Sequence, residues 1–411
     1  MSIVRRTAFV MIALITVVGF GAGAYLLVPW QDSPADAAAG APKVRPVGNG
    51  RFQLVAWPPA GSFGIPPETT IKVAAQNGRI TQLAVTAPDG AVIPGYLDDD
   101  GAWWMTETTL APATAYQVVA RVIPNRGDAH RERWTFSTIT PSALLGARVV
   151  PGDNEVVGVG QPISLRFTEP VMNKVAVERR LEVTTSVPVV GSWRWINDRE
   201  IHWRPRDYWP AHTAVFLDAN LHGVDAGNGV IGNVHRTVHF TIGDAQISIA
   251  DAANHTLTVS QNGVVVKTFP MSAGKPEFPT MSGKHLVIGK AQKVIMDSRT
   301  NGIPLTSSEG YLETVYWDTQ ISSTGEYVHA APWSVDSQGR ENVSHGCINL
   351  SNANAEWFYH FSRRGDIVEV TGTPRPPNND ISVIDWKFPY EEWVQGSALY
   401  DPIPPPRAHR A

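Results

Sequence analysis

The sequence predicts a mainly β protein: two immunoglobulin-like β-sandwich modules, then a third β-rich domain with one short helix. Three observations carry this. Glycine (35), proline (32) and tryptophan (14) are plentiful while charged residues are only 18%, a composition of short strands and turns rather than long helices. Two stretches look alike at an offset of about 100 residues. A third stretch begins with alternating apolar runs around Gln261-Asn262-Gly263, a hairpin-turn signal.

At 411 residues there is room for two or three domains. Arg5 and Arg6 precede an uncharged stretch from about Thr7 to Pro29, long enough to span a bilayer as a helix. Residues 1–30 therefore read as a membrane anchor or signal, with everything after Trp30 outside the cytoplasm. Ala35-Asp36-Ala37 resembles a cleavage site, so secretion to the periplasm or cell wall stays open beside a single-pass anchor on the extracytoplasmic face of the plasma membrane. Residues 31–46, rich in Ala, Gly and Pro, read as a flexible tether.

The first module, 47–141, holds Ala102-Trp103-Trp104, Leu110 to Val118 and Trp134 to Thr138. The second, 142–243, holds Ile201-His202-Trp203, Trp209 to Leu217 and Val238 to Ile242. Turn signals every ten or so residues make each a sandwich of immunoglobulin-like size. Trp103, Trp104 and Trp203 are expected in cores rather than on a sugar-binding face. His235 and His239 share a strand face without an evident partner. The modules read as spacers.

The third domain, 246–372, opens with strands at 247–249, 256–259 and 264–266. Residues 290–326, rich in Gly, Ser and Thr, suit a long hairpin or lid. Ser351 or Asn352 caps a helix over 353–363 that Gly365 stops, and 367–370 is the closing strand. In the C-terminal extension, 373–411, Asp385 to Trp393 has enough aromatic surface to dock onto a domain, and Pro402 to Ala411 is a loose end.

Chemistry concentrates at Cys347, the one cysteine, within Ser344-His345-Gly346-Cys347-Ile348-Asn349. His329 lies 18 positions upstream. A cysteine nucleophile acts as the thiolate, and a thiol with pKa ~8.5 needs a base to take its proton. Gly346 lets backbone N–H groups approach a developing oxyanion. Two other readings stand beside this one: a small buried hydrophobe, and a zinc ligand with His329 and His345, for which a fourth ligand is missing. A net charge of −4 leaves no basic footprint for nucleic acid, and no residue cluster implies a cofactor or a metal.

The block Tyr327-Val328-His329 through Ser344-His345-Gly346-Cys347-Ile348-Asn349-Leu350, with the Pro279-Thr280 to Gly283 run, resembles the L,D-transpeptidase (YkuD-type) family. The whole layout resembles its mycobacterial type. The resemblance implies a YkuD-type β-sandwich catalytic domain that forms 3→3 cross-links in peptidoglycan. Cys347 attacks the diaminopimelate carbonyl of a tetrapeptide stem, expels D-Ala and leaves a thioester. The side-chain amine of a second stem resolves it. His329 is the implied base, oriented by the backbone carbonyl of Ala330, where many relatives carry serine. N–H groups around Gly346 and Cys347, aided by Tyr311, hold the oxyanion. His345 shapes the turn or binds substrate. Asn349, where many bacterial relatives have arginine, supports the site by hydrogen bonding. Met296, Trp333 and Ser344 match pocket-lining positions, with plain loop packing as the alternative. Carbapenems are expected to acylate Cys347.

The rival functions are an L,D-carboxypeptidase with water as acceptor and a non-catalytic wall-binding protein. A sortase-like reading fits poorly, because Arg363 and Arg364 fall at the end of the expected helix.

Overall fold

The structure, a computed structural model, describes residues 50–401. The expected anchor or signal, the tether and the loose C-terminal end lie outside the described residues. Among the described residues no helix is long and apolar enough to cross a membrane. The chain forms two compact units that divide between Thr140 and Pro141.

The first unit is a sandwich of two four-stranded sheets. One orders Gln53–Trp57, Lys72–Gln76, Trp103–Thr106 and Gly95–Leu97; the other Val92–Ile93, Gly78–Thr86, Ala115–Pro124 and His130–Ser137. Alternation sends Tyr116, Val118, Ala120 and Val122 inward with Trp134 and Phe136. Trp104 is in this core, as expected. Trp103, its neighbour, points the other way and lies half-buried against Tyr96, ring centroids 5.4 Å apart.

The second unit begins with another sandwich. Its sheets are Ala147–Val150, Ile163–Phe167, Glu200–Pro205 and Gly191–Asn197, and Val156–Val157, His235–Ile242, Ala214–Asn220 and Leu181–Thr185. Trp193, Trp203, Trp209 and Phe240 fill the core. A glycine on the strand next to the core tryptophan recurs in both sandwiches. A Cβ on Gly95 would collide with the Trp104 ring, and one on Gly191 with Trp203. His235 and His239 take separate partners: Asp218 at 2.7 Å for the first, the Phe216 ring at 4.5 Å for the second.

The third domain packs directly on this second sandwich. Gly158 N–H donates to Arg364 O (2.7 Å) and Gly160 N–H to Gly365 O (2.9 Å). The C-terminal segment seals the junction. Trp386 Nε1 donates to Gly160 O (2.8 Å), Trp393 Nε1 to Ser192 O (2.9 Å), and the Arg204 guanidinium lies 4.7 Å from both indole rings. The aromatic run expected to dock does so here, with Trp393 fully buried.

The third domain has two sheets. Val264–Pro270, Thr256–Gln261, Gln246–Asp251, Ile367–Thr371 and Gly283–Leu286 form the first; Gly289–Asp297, Leu312–Gln320, Tyr327–Ala330 and Ile348–Leu350 the second. Asn262 and Gly263 both take positive φ, as the tight hairpin requires. The segment read as a hairpin or lid is the hairpin of Gly289–Asp297 with Leu312–Gln320. Ser351 caps the helix Asn352–Phe361 by accepting from Asn354 N–H (3.4 Å). The helix stops two residues before the expected Arg363, where Ser362 turns extended. Lys290 Nζ there binds the carbonyls of Tyr359 and Ser362, each at 2.6 Å.

Candidate active site

The strands Tyr327–Ala330 and Ile348–Leu350 run parallel, pairing Val328 with Ile348, His329 with Asn349 and Ala330 with Leu350. Val328, Ala330, Ile348 and Leu350 belong to the core. Side chains alternate across a sheet, so His329 and Asn349 share the opposite face, and Cys347, in the bend just before the second strand, sets its sulfur against Gly325 O and the Tyr327 backbone. The thiol thus sits at the entry of one strand and the imidazole on the strand paired with it. The core reading of the cysteine does not fit its half-buried position outside the core cluster.

His329 Nδ1 lies 3.0 Å from Ala330 O. A carbonyl only accepts, so Nδ1 carries the hydrogen and Nε2 keeps its lone pair. Burial pushes His329 down to about 4, against the opposing hydrogen bonds from Ala330 and Asn349. Burial pushes the half-buried Cys347 thiol up to about 12, and the nearby Glu326 and Asp318 carboxyls push the same way. The resting pair is therefore neutral thiol and neutral imidazole. The S–H meets Gly325 O at 3.7 Å.

The turn before the cysteine is self-braced. Ser344 Oγ donates to Cys347 O (2.6 Å) and accepts from Gly346 N–H (3.1 Å). Gly346 has φ +126, a region that favours glycine. His345 Nε2 pairs with Glu309 Oε2 at 2.7 Å, and Lys275 Nζ reaches the same oxygen at 2.5 Å. The rings of Phe278 (4.9 Å) and Tyr311 (5.0 Å) flank His345. Burial raises the Tyr311 phenol above its ordinary value, with the Cys347 sulfur adding to it. Asn349 Nδ2 donates to Ser334 Oγ (3.1 Å), which fixes its amide beside His329. Trp333 is 56% exposed with its ring 6.2 Å from that of His329, a free aromatic wall. Met296 sits on the hairpin strand opposite Glu313. Among the described residues no group of three His, Cys, Asp or Glu side chains could hold a metal ion.

Four polar residues here are not signalled by the motif. Glu309 and Lys275 clamp His345. Glu326 is buried beside the Gly346 turn. Asp318 is fully buried with both carboxyl oxygens unpartnered, and burial pushes it up to about 7. A bulge between Tyr316 and Thr319 sets Trp317 and Asp318 opposite His329. Each carboxyl approaches the site from a separate loop or strand, so no sequence spacing marks it.

The fold and this site define a YkuD-type cysteine–histidine centre on a β-sandwich. A family model described as the L,D-transpeptidase catalytic domain matches residues 245–370, and one described as a bacterial Ig domain matches 62–225. The chain is 41% identical over 339 residues to L,D-transpeptidase 2 of Mycobacterium tuberculosis, covering 82% of this chain and 83% of that one. It is 33% identical over 367 residues to L,D-transpeptidase 5 of the same species, with 87% and 79% covered. A solved structure of the LD transpeptidase LdtMt1 in complex with imipenem is similar at 43% identity and TM-score 0.50, covering 55% of this chain and 99% of that one. The chain belongs to the L,D-transpeptidase family.

Proposed function

We propose that this enzyme forms 3→3 cross-links in peptidoglycan through a thioester on Cys347. The observation that carries this is Cys347 at the entry of the strand paired with the one that carries His329, with His329 Nδ1 committed to Ala330 O. His329 Nε2 takes the S–H proton as sulfur attacks the diaminopimelate–D-Ala carbonyl. Because both groups rest neutral, that proton moves during the attack rather than before it. The imidazolium then gives the proton to the D-Ala nitrogen, the C–N bond breaks, and the acyl group stays on sulfur. The side-chain amine of a second stem attacks the thioester, passes a proton to His329 and releases the thiol.

The tetrahedral oxyanion draws the Cys347 N–H, the Tyr311 hydroxyl and the Gly346 N–H. A charged oxygen outcompetes the neutral Ser344 Oγ for the last of these. His345, held by Glu309 between two rings, shapes the turn. Trp333 and Met296 flank the stem peptide. Ser344 acts through the turn it braces, and Asn349 steadies His329. Acting on wall peptides requires the domains after residue 46 to lie outside the cytoplasm, held by the apolar N-terminal stretch or secreted after its cleavage. We also propose the module limits 47–141 and 142–243 and a catalytic domain over 246–372, followed by the extension 373–411.

The test is incubation of the purified enzyme with a disaccharide tetrapeptide and mass spectrometry of the products. A dimer with loss of D-Ala is expected, and Cys347→Ala gives none. Tripeptide alone would make the enzyme an L,D-carboxypeptidase. A carbapenem is expected to add its mass to the Cys347 peptide. Its acylation rate falls as pH drops through about 4, where His329 becomes protonated and can no longer accept a proton.

A further inference from the structure

Glu326 lies between the nucleophile turn and the C-terminal segment. It immediately follows Gly325, whose carbonyl receives the Cys347 S–H. A methyl group on Gly346 would sit 3.4 Å from Glu326 Oε1. That oxygen accepts from Met281 N–H (3.0 Å) and from Arg375 Nη1 (2.7 Å). Glu326 Oε2 is buried with no partner.

Arg375 lies just beyond the last strand and is itself fixed. Its carbonyl accepts from both Ser282 N–H and Ser282 Oγ, each at 2.8 Å. A few residues on, Asp380 receives Ser322 Oγ (3.0 Å), Ser323 N–H (3.1 Å), Ser323 Oγ (2.8 Å) and Thr324 N–H (3.2 Å). The loop Ser322–Glu326, which walls the thiol, is thus gripped at both ends by the C-terminal segment.

We propose that Glu326 is a positioning residue of the active site, held by Arg375 and the Met281 amide against the Gly346–Cys347 turn, and that its charge tunes the reactivity of the Cys347 thiol. The proposal deepens the acyl-transfer reading and rests on Cys347 as its nucleophile. A carboxylate beside a thiol disfavours the thiolate, and an arginine paired to that carboxylate offsets the effect. Arg375 therefore makes the C-terminal extension part of the site's electrostatics. The other charged or titratable groups facing this cluster are His285, whose ring nitrogens lie against Ile321 O and Met281 O, and Asp380. Around the sulfur itself stand Asp318, Tyr311 and Tyr327, with His329 two residues along the strand from Tyr327.

The test is the pH profile of Cys347 alkylation by iodoacetamide, a neutral probe, in the full chain. Glu326→Gln keeps the size of the side chain and an oxygen for Met281 and Arg375. Its alkaline limb is expected to move about one unit toward lower pH, about tenfold in rate at fixed pH on that limb. Arg375→Met is expected to slow alkylation at neutral pH, and the Glu326→Gln/Arg375→Met double variant to recover it. Arg375→Lys keeps the charge and stays near the parent. A Glu326→Gln profile that superimposes on the parent's would overturn the proposal, as would a double variant no faster than Arg375→Met. Alkylation reads the thiol without any wall peptide. A failure here therefore leaves the acyl-transfer reading standing, and a failure to make cross-links leaves this result intact.

Discussion

The two sandwiches repeat the same strand with one informative change. Ala102-Trp103-Trp104 in the first matches Ile201-His202-Trp203 in the second. The inward residue is tryptophan in both, buried in each core beside a glycine on the next strand. The outward residue differs. Trp103 lies half-buried against Tyr96 on its own sheet. His202 is buried, with Nδ1 at 2.7 Å from Asp385 and Nε2 at 3.1 Å from Glu200. Asp385 belongs to the C-terminal segment, which covers the outer face of the second sandwich. One face of a strand records the sandwich's own core; the other records what lies on top of it.

The largest expected effect comes from removing that cover. A chain ending at Gly372 loses Arg375, Asp380, Asp385, Trp386 and Trp393. It should lose cooperative unfolding of the second unit and most carbapenem acylation of Cys347. A chain beginning at Pro141 should keep both, because the compact units divide there. Calorimetry and intact-mass kinetics on the two truncations decide it; similar losses in both would erase the contrast between the sandwiches.

Next in size are the inward tryptophans. Trp104→Ala and Trp203→Ala should each cost ~3–5 kcal/mol, the range for emptying a large aromatic from a packed core. The Trp203 variant should also slow acylation of Cys347, whereas the Trp104 variant leaves it unchanged. Denaturant melts paired with acylation rates separate the two.

A smaller effect distinguishes the outward residues by pH. Burial alone would lower His202, but Asp385 and Glu200 outweigh it and raise it to about 9 from an ordinary 6.5. A folded-state pKa above the unfolded one stabilises fully below about 6.5, and that contribution is lost as pH rises through about 9. The melting temperature of the second unit should fall across that window, and His202→Gln should flatten the fall. Smallest of all, Trp103→Ala on its half-exposed face should cost about 1 kcal/mol and leave the pH dependence of either unit unaltered.

Much of this was written locally. The glycine–cysteine turn, the Asn262-Gly263 hairpin and the Ser351 cap each depend on residues a few positions apart, while the carbonyl partner of His329 came from the family resemblance. The alternation of the strands fixes which face is core, so of the adjacent Trp103 and Trp104, both expected in a core, only Trp104 lies there. The helix end was missed because it is set by Lys290, 72 positions before the Ser362 carbonyl it binds.

What sequence alone determined was the set of candidate reacting groups and the local shapes that present them. A spacing of a few residues constrains angles directly, and a thiol or an imidazole has the same chemistry wherever it stands. Tertiary structure alone decided the electrostatics around them: Glu326 against Arg375, Glu309 against His345, Asp318 behind His329, His202 beneath Asp385. Those pairs join residues from 36 to 183 positions apart, except for Asp318, which a bulge redirects. Their energies come from burial and proximity, which exist only once the sheets have closed and the C-terminal segment has been laid across them.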